Sequence, residues 1–281
     1  MNTSDETPSE FPRFLYGTAW KEDDTERLTL LALNAGFRGI DTANQRKHYY
    51  EAGVGAALKQ AFESGLVTRD DLFLQTKFTF LGGQDHRLPY DPSAPIATQV
   101  RQSFEKSLEH LGVESLDSYV LHGPSRQHGL GREDWAAWQA MEQLHAAGDV
   151  RALGVSNVNL PQLQLLCEKG RIKPQFVQNR CYAVLGWDRG VRTFCREEGI
   201  VYQGFSLLTA NRAVLAHPTL ARIAARHERA LTQIIFRFAL DVGMLPLTGT
   251  TNADHMRDDL AVANFQLDPT EVAAIESLVE R

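Results

Sequence analysis

Cysteine is scarce in this chain. Cys167, Cys181 and Cys195 are odd in number and form no CxxC pair, which argues against a disulfide framework or a thiolate metal ribbon and for a reduced, cytoplasmic protein in which they serve as small apolar residues. Positive charge is not in excess either. The net charge is −6 and the pI about 5.9, so no global basic field favours nucleic acid or an anionic membrane. No apolar run approaches the roughly 20 residues needed to span a bilayer. The first residues are polar and acidic, lacking the basic and apolar regions of a secretory signal, so residues 1–11 are expected to form a disordered tail and Asn2-Thr3-Ser4 carries little weight as a glycosylation acceptor. A dinucleotide-binding glycine fingerprint is missing, because Gly53-Val-Gly55 is followed by Leu58 where a third glycine belongs. His122 and His128 lack helical ligand spacing, and no metal site is expected.

What is present is a 43% hydrophobic share and a regular alternation of short apolar runs with longer helical patterns. Strands are expected at Phe14–Gly17, Gly39–Asp41, Leu72–Lys77, Leu116–Leu121, Val150–Val155, Phe176–Gln178, Ile200–Phe205 and Met244–Leu247. Between them lie helical patterns over Glu22–Ala35, Ala52–Phe62, Val100–Leu111, Trp135–Ala147, a stretch capped by Asn159, Val191–Glu198, and one long helix over Leu220–Asp241. Asp268-Pro269 with Glu271 opens a last helix. Eight strands, each followed by a helix, without linker or repeat, describe a single (β/α)8 TIM barrel domain over residues 1–281. The stretch from Phe80 to Pro95, rich in glycine and proline, is long for a connector and reads as a functional loop.

In such a barrel, chemistry belongs at the C-terminal ends of the strands. Those ends carry Trp20, Asp41, Lys77, His122, Ser156-Asn157, Gln178, Phe205-Ser206 and Thr248 to Thr251. A carboxylate, a lysine and a histidine at three successive strand ends, with Tyr49 and Tyr50 entering the next helix, form a candidate catalytic corner.

The segments Gly36-Phe-Arg-Gly-Ile-Asp-Thr-Ala43 with Glu51 and Val54-Gly55, Gln75-Thr-Lys77, Asp117-Ser-Tyr-Val-Leu-His122, Gly154-Val-Ser-Asn157, Gln178-Asn179, Pro246-Leu-Thr-Gly-Thr-Thr251 and Asp258-Asp259-Leu260 occur in order along the chain. Together they resemble the aldo-keto reductase family. The resemblance implies an oxidoreductase that reduces aldehydes or ketones with a nicotinamide cofactor, NADPH by family habit. It implies that a tyrosine donates a proton to the carbonyl oxygen, that Lys77 lowers the tyrosine pKa, that Asp41 holds Lys77 charged, and that His122 polarises the carbonyl. The family pattern puts the tyrosine five residues after the aspartate, where this chain has Arg46; counting back from Val54-Gly55 gives His48 instead. The segment is about two residues longer than usual, which makes Tyr49 the first choice, with Tyr50 and His48 as alternatives.

Ser156, Asn157 and Gln178 match residues that grip the nicotinamide carboxamide, Phe205 matches a stacking aromatic, and Ser206 and Leu208 match the pyrophosphate loop. Many relatives hold the adenosine 2′-phosphate with a lysine and an arginine, where this chain has Gly249 and His255; Thr250, Thr251 and Arg257 remain, and NADH is the alternative cofactor. The substrate pocket is expected among Trp20, Phe80, Tyr90, Pro124 and Trp187, whose apolar character suits an uncharged small-molecule carbonyl rather than nucleic acid or a membrane. Two rival readings stay open: a cofactor-sensing regulatory barrel with little turnover, and a phosphate-binding isomerase or lyase barrel, for which Gly204 and Gly249 give only a faint signal.

Overall fold

The computed structural model describes residues 11–278. They form a closed barrel of eight parallel strands in sequence order. The strands are β1 (Leu15–Gly17), β2 (Gly39–Asp41), β3 (Phe73–Phe78), β4 (Leu116–Leu121), β5 (Val150–Ser156), β6 (Phe176–Arg180), β7 (Val201–Phe205) and β8 (Met244–Thr248). The barrel closes where Leu15 and Tyr16 pair with Leu247 and Thr248. Outside it lie α1 (Thr25–Ala35), α2 (Glu51–Glu63), α3 (Ile96–Leu111), α4 (Arg132–Ala147), α5 (Leu160–Lys169), α6 (Arg189–Glu198), α7 (Arg212–Leu215), α8 (Pro218–His227), α9 (Leu231–Asp241), α10 (Ala253–Leu260) and α11 (Pro269–Glu276). Among the described residues no helix is long and apolar enough to cross a membrane.

Strand alternation sorts side chains into layers. At the bottom, Leu15, Phe73, Ala152, Phe176, Leu245 and Leu247 fill the interior. Phe11 closes this floor, its ring edge-on to Phe73 and Phe176 with centroids 5.9 and 5.0 Å away. The expected tail therefore ends one residue too late: Phe11 is part of the core, and residues 1–10 lie outside the described residues. Two positions along β3 and β6 the interior turns polar, with Gln75 and Gln178 buried. Register sets Asp41 beside Gln75 and Gln178 beside Gln203.

The long helix expected over Leu220–Asp241 is two helices. Glu228 adopts a left-handed backbone with φ of 52° and ends α8, and Ala230 then opens α9, where Gln233 returns its side chain to the Ala230 N–H. The apolar period runs through the break because both helices bury an apolar face in the same core, so periodicity alone hid it. One glycine is demanded by packing. A β-carbon on Gly55 in α2 would stand 1.8 Å from the His110 carbonyl oxygen, so α2 and α3 meet backbone to backbone there.

Candidate active site

The barrel mouth holds a cavity of about 680 Å³. Among its lining residues is Asp41, the last residue of β2. Both carboxylate oxygens accept from Lys77 Nζ, at 2.7 and 2.8 Å, and the same ammonium donates to the Thr42 carbonyl at 2.8 Å. Asp41 Oδ1 also accepts from Gln75 Nε2 at 2.7 Å and Gln178 Nε2 at 2.9 Å. Gln203 ties the two glutamines together, accepting from both and donating back to Gln75. Both ions are buried, and each finds several partners, which is the condition for a buried pair to be tolerated. Burial is the largest influence on Lys77 and draws its pKa below the ordinary lysine value; Asp41, by charge and hydrogen bond, opposes that.

Above this pair stand two uncharged groups. Tyr49 lies with its ring centroid 5.2 Å from Lys77 Nζ and meets the His122 ring edge-on at 5.9 Å. Among the described residues its hydroxyl has no hydrogen-bond partner. Tyr50 points elsewhere, under the Arg46 guanidinium at 4.3 Å, and lines a separate cavity behind the first. Of the two candidate tyrosines, only Tyr49 faces the mouth. The expected lowering of its pKa is not what the surroundings produce. Burial, then the Asp41 carboxylate, push the phenol above its ordinary value, so it is firmly protonated. His122, just beyond β4, is pulled down to about 3 by burial and then by the charges of Lys77 and His48, and is neutral. Its Nδ1 lies 2.7 Å from Thr79 Oγ1. His48 also faces the cavity, stacked on Trp20 with ring centroids 4.1 Å apart.

The cofactor candidates Ser156, Asn157, Gln178, Phe205, Ser206, Leu208 and Thr250 all line the same cavity. Several of their donors are already engaged. Ser156 Oγ donates to the Gln178 carbonyl at 2.6 Å, and Asn157 Nδ2 donates to the His122 carbonyl at 2.8 Å. Gln178 spends its amide N–H groups on Asp41 and Gln203, which leaves its Oε1 to accept from a carboxamide. Trp20, Asn157 and Ser206 all hold left-handed backbones, with φ of 61°, 52° and 57°, and all three line the cavity. Strained non-glycine residues concentrated at one mouth are a mark of a working site.

Six expected residues, Pro124, Trp187, Tyr90, Phe80, Thr251 and Arg257, do not line the cavity. Trp187 is 0% exposed, packs on Phe238 at 5.0 Å, and donates its indole N–H to the Ile275 carbonyl, so it is core rather than pocket. Tyr90 is buried, donates to the Thr79 carbonyl at 2.8 Å, and packs on Phe78. Phe80 also packs on Phe78, at 5.2 Å, and neither it nor Tyr90 lines the cavity. Thr251 is exposed beyond the rim. Arg257 pairs with Asp254 instead of reaching inward. The loop from Phe80 to Pro95 thus supports the site from behind instead of overhanging it. Trp20 does overhang the mouth and is 69% exposed.

Sequence reasoning missed Lys21, Arg180 and Asp259. Lys21 is buried beside Tyr16 and donates to the Gly249 carbonyl at the cavity wall, where a cation suits a phosphate. Burial lowers its pKa. Arg180 lies 5.5 Å from the Phe205 ring centroid at the rim. Asp259 is buried at the same end as His255, its pKa raised to about 6 by burial. The signal for Lys21 was its place directly after Trp20, on the loop leaving β1. Among the described residues no cluster of histidine, cysteine or carboxylate could hold a metal ion.

Comparison with known proteins adds an independent line. The model of the aldo/keto reductase family matches residues 15–280. The uncharacterized oxidoreductase YtbE of Bacillus subtilis is 30% identical over 273 residues, covering 96% of this chain and 90% of that protein. Glyoxal reductase of the same organism is 29% identical over 272 residues, covering 96% and 89%. Among solved structures, a Bombyx mori aldo-keto reductase in complex with NADP superposes with a TM-score of 0.80 at 25% identity, covering 95% of this chain and 88% of that one.

Proposed function

The chain belongs to the aldo/keto reductase family and is an oxidoreductase, and on that premise we propose that it reduces aldehydes or ketones to alcohols with NADPH, with Tyr49 as the proton donor. The observation that carries the reading is the stacking of Tyr49 and neutral His122 over the buried Lys77–Asp41 pair at the base of a cavity. The activity that the glyoxal reductase relative is named for and the NADP bound to the Bombyx mori structure support the substrate class and the cofactor.

The residues present fit a nicotinamide dinucleotide. Gln178 Oε1 can accept from a carboxamide, Phe205 offers a ring face, and the Lys21 ammonium can meet a phosphate on the same wall. When bound, the reduced cofactor supplies a hydride to the carbonyl carbon. The chain's own residues then manage charge and proton. His122 donates a hydrogen bond to the carbonyl oxygen as negative charge grows there. Tyr49 transfers its hydroxyl proton to that oxygen. The transfer needs no acidified phenol, because the alkoxide formed as hydride reaches the carbon is a stronger base than a phenolate. Lys77 faces the phenolate that results and is held charged by Asp41 and the Thr42 carbonyl.

The direct test follows nicotinamide absorbance with NADPH and, separately, NADH against a panel of aldehydes and ketones. Tyr49→Phe is expected to lower kcat by at least about 100-fold with cofactor affinity kept, whereas Tyr50→Phe remains near wild type. Cofactor binding with no turnover of any carbonyl would instead support a sensing role.

A further inference from the structure

We propose that Thr79 is a positioning residue that fixes His122 in the tautomer carrying its proton on Nε2. The inference rests on the reductase reading in one respect, that His122 donates to a carbonyl oxygen.

A neutral imidazole has one N–H and one bare nitrogen, and only the Nε2–H form offers a donor when Nδ1 is turned away from the substrate. Here Nδ1 is turned onto Thr79 Oγ1, 2.7 Å away. Either group can be the donor in that contact, so the choice depends on what else each can do. Thr79 is buried, and among the described residues its hydroxyl has no other hydrogen-bond partner. If His122 Nδ1–H donated to Thr79, the hydroxyl proton would be stranded in the interior. An unmet buried donor is costly, whereas an oxygen lone pair left over is tolerated. The arrangement that satisfies both groups has Thr79 O–H donating to a bare Nδ1. The His122 proton then sits on Nε2.

The threonine is itself held in place. It directly follows β3, and its carbonyl accepts from Tyr90 Oη at 2.8 Å and from Gln84 Nε2 at 3.3 Å. His122 directly follows β4, and its backbone N–H donates to the Phe78 carbonyl at 2.9 Å. Adjacent strands therefore set the two side chains in register before any ligand arrives. This assigns a task to the loop that was expected to cover the substrate: through Gln84 and Tyr90 it anchors Thr79 and so the ring behind the chemistry.

The test has two arms. In the first, nitrogen NMR of protein labelled on histidine reads the tautomer of His122, assigned by the signal lost in His122→Asn. Wild type is expected to show Nε2–H. Thr79→Val, which keeps the shape and removes the donor, is expected to show the Nδ1–H form or a mixture. Thr79→Ser is expected to restore Nε2–H. In the second arm, Thr79→Val lowers kcat for carbonyl reduction at least tenfold with cofactor affinity unchanged, and Thr79→Ser recovers most of it. An Nδ1–H wild type overturns the proposal, as does Thr79→Val that keeps the Nε2–H form or keeps wild-type kcat. The first arm needs no turnover. A wild type with the Nε2–H form and no activity on any carbonyl would refute the reductase reading while leaving the Thr79 contact as described.

Discussion

Asp41→Asn tests whether the ion pair at the barrel centre is held as the geometry says. In the native chain, Lys77 Nζ has two carboxylate contacts and one carbonyl contact and no solvent. The substitution keeps the shape but removes the counter-charge, leaving an ammonium buried with one neutral acceptor and facing an amide. Breaking a buried pair from one side costs about 3–5 kcal/mol. At roughly 2–4 °C per kcal/mol for a domain of this size or slightly smaller, the midpoint of thermal unfolding falls by about 6–20 °C. Lys77→Met is expected to cost a similar amount, because the carboxylate then loses the cation it pairs with and is left, among the described residues, with the two glutamines. The double variant is the informative one. With both charges gone, its loss is expected to be no larger than that of either single change, not the sum of about 6–10 kcal/mol. The pH dependence adds a signed check. Without the carboxylate the folded lysine pKa falls further below its ordinary value, so the unfolded state binds the extra proton in the window between the two. Stability of Asp41→Asn therefore rises with pH there, by about 1.4 kcal/mol per unit, and its deficit against wild type narrows. Additive single losses, or a deficit that grows with pH, would refute the pairing argument.

His122 makes a second pH prediction. Its pKa of about 3 against an ordinary 6.5 means that the unfolded chain takes up a proton the folded chain refuses. Stability is then full above about 6.5 and falls by on the order of 4–5 kcal/mol by pH 3 from this group alone. Urea unfolding of His122→Asn is expected to show a correspondingly shallower acid limb. The two tryptophans should separate cleanly: Trp187→Ala costs about 3–5 kcal/mol of stability, while Trp20→Ala stays within about 0.5 kcal/mol and shifts KM for apolar carbonyls. Gly55→Ala forces α2 from α3 at the His110 carbonyl and is expected to lower the unfolding midpoint by several degrees, more than an alanine at the open Gly82.

The barrel was legible in the sequence because strand ends and helix caps leave local marks: Gly36, Gly112 and Gly148 end helices in the left-handed region, and the Asn159 and Asp268 caps are where the spacing puts them. Strand order then follows from chain order, which is why Asp41, Lys77 and His122 were found without regard to their types. Orientation was not legible. Trp187 and Trp20 are both aromatic loop residues with left-handed backbones, yet one is sealed against Phe238 and the other is open. Nothing local distinguishes them, since burial depends on which distant helix arrives. The interlocked Gln75, Gln178 and Gln203 were equally invisible as a group, because each looks like an ordinary polar strand residue until register brings three strands together. The net pKa of Tyr49 went the other way from expectation for a related reason: a neighbouring cation is readable from motif spacing, and depth of burial is not.

On the proposed reading, these layers let a site for an uncharged carbonyl carry a full ion pair. The two groups set over the ion pair, Tyr49 and His122, are neutral, so an apolar carbonyl placed against them displaces no ionic solvation there, while the charged Lys21, Arg180 and Asp259 line other parts of the cavity. The charges lie one layer below, where the glutamines and the Thr42 carbonyl hold them and water does not screen them. Their field matters little to a neutral ground state and strongly to an oxyanion or a phenolate, which exist only once reaction has begun. That difference between ground and transition state is what accelerates a reaction. On the proposed reading Tyr49 must also hold its proton until the oxygen becomes basic, and its burial, which raises the phenol pKa, works in that direction.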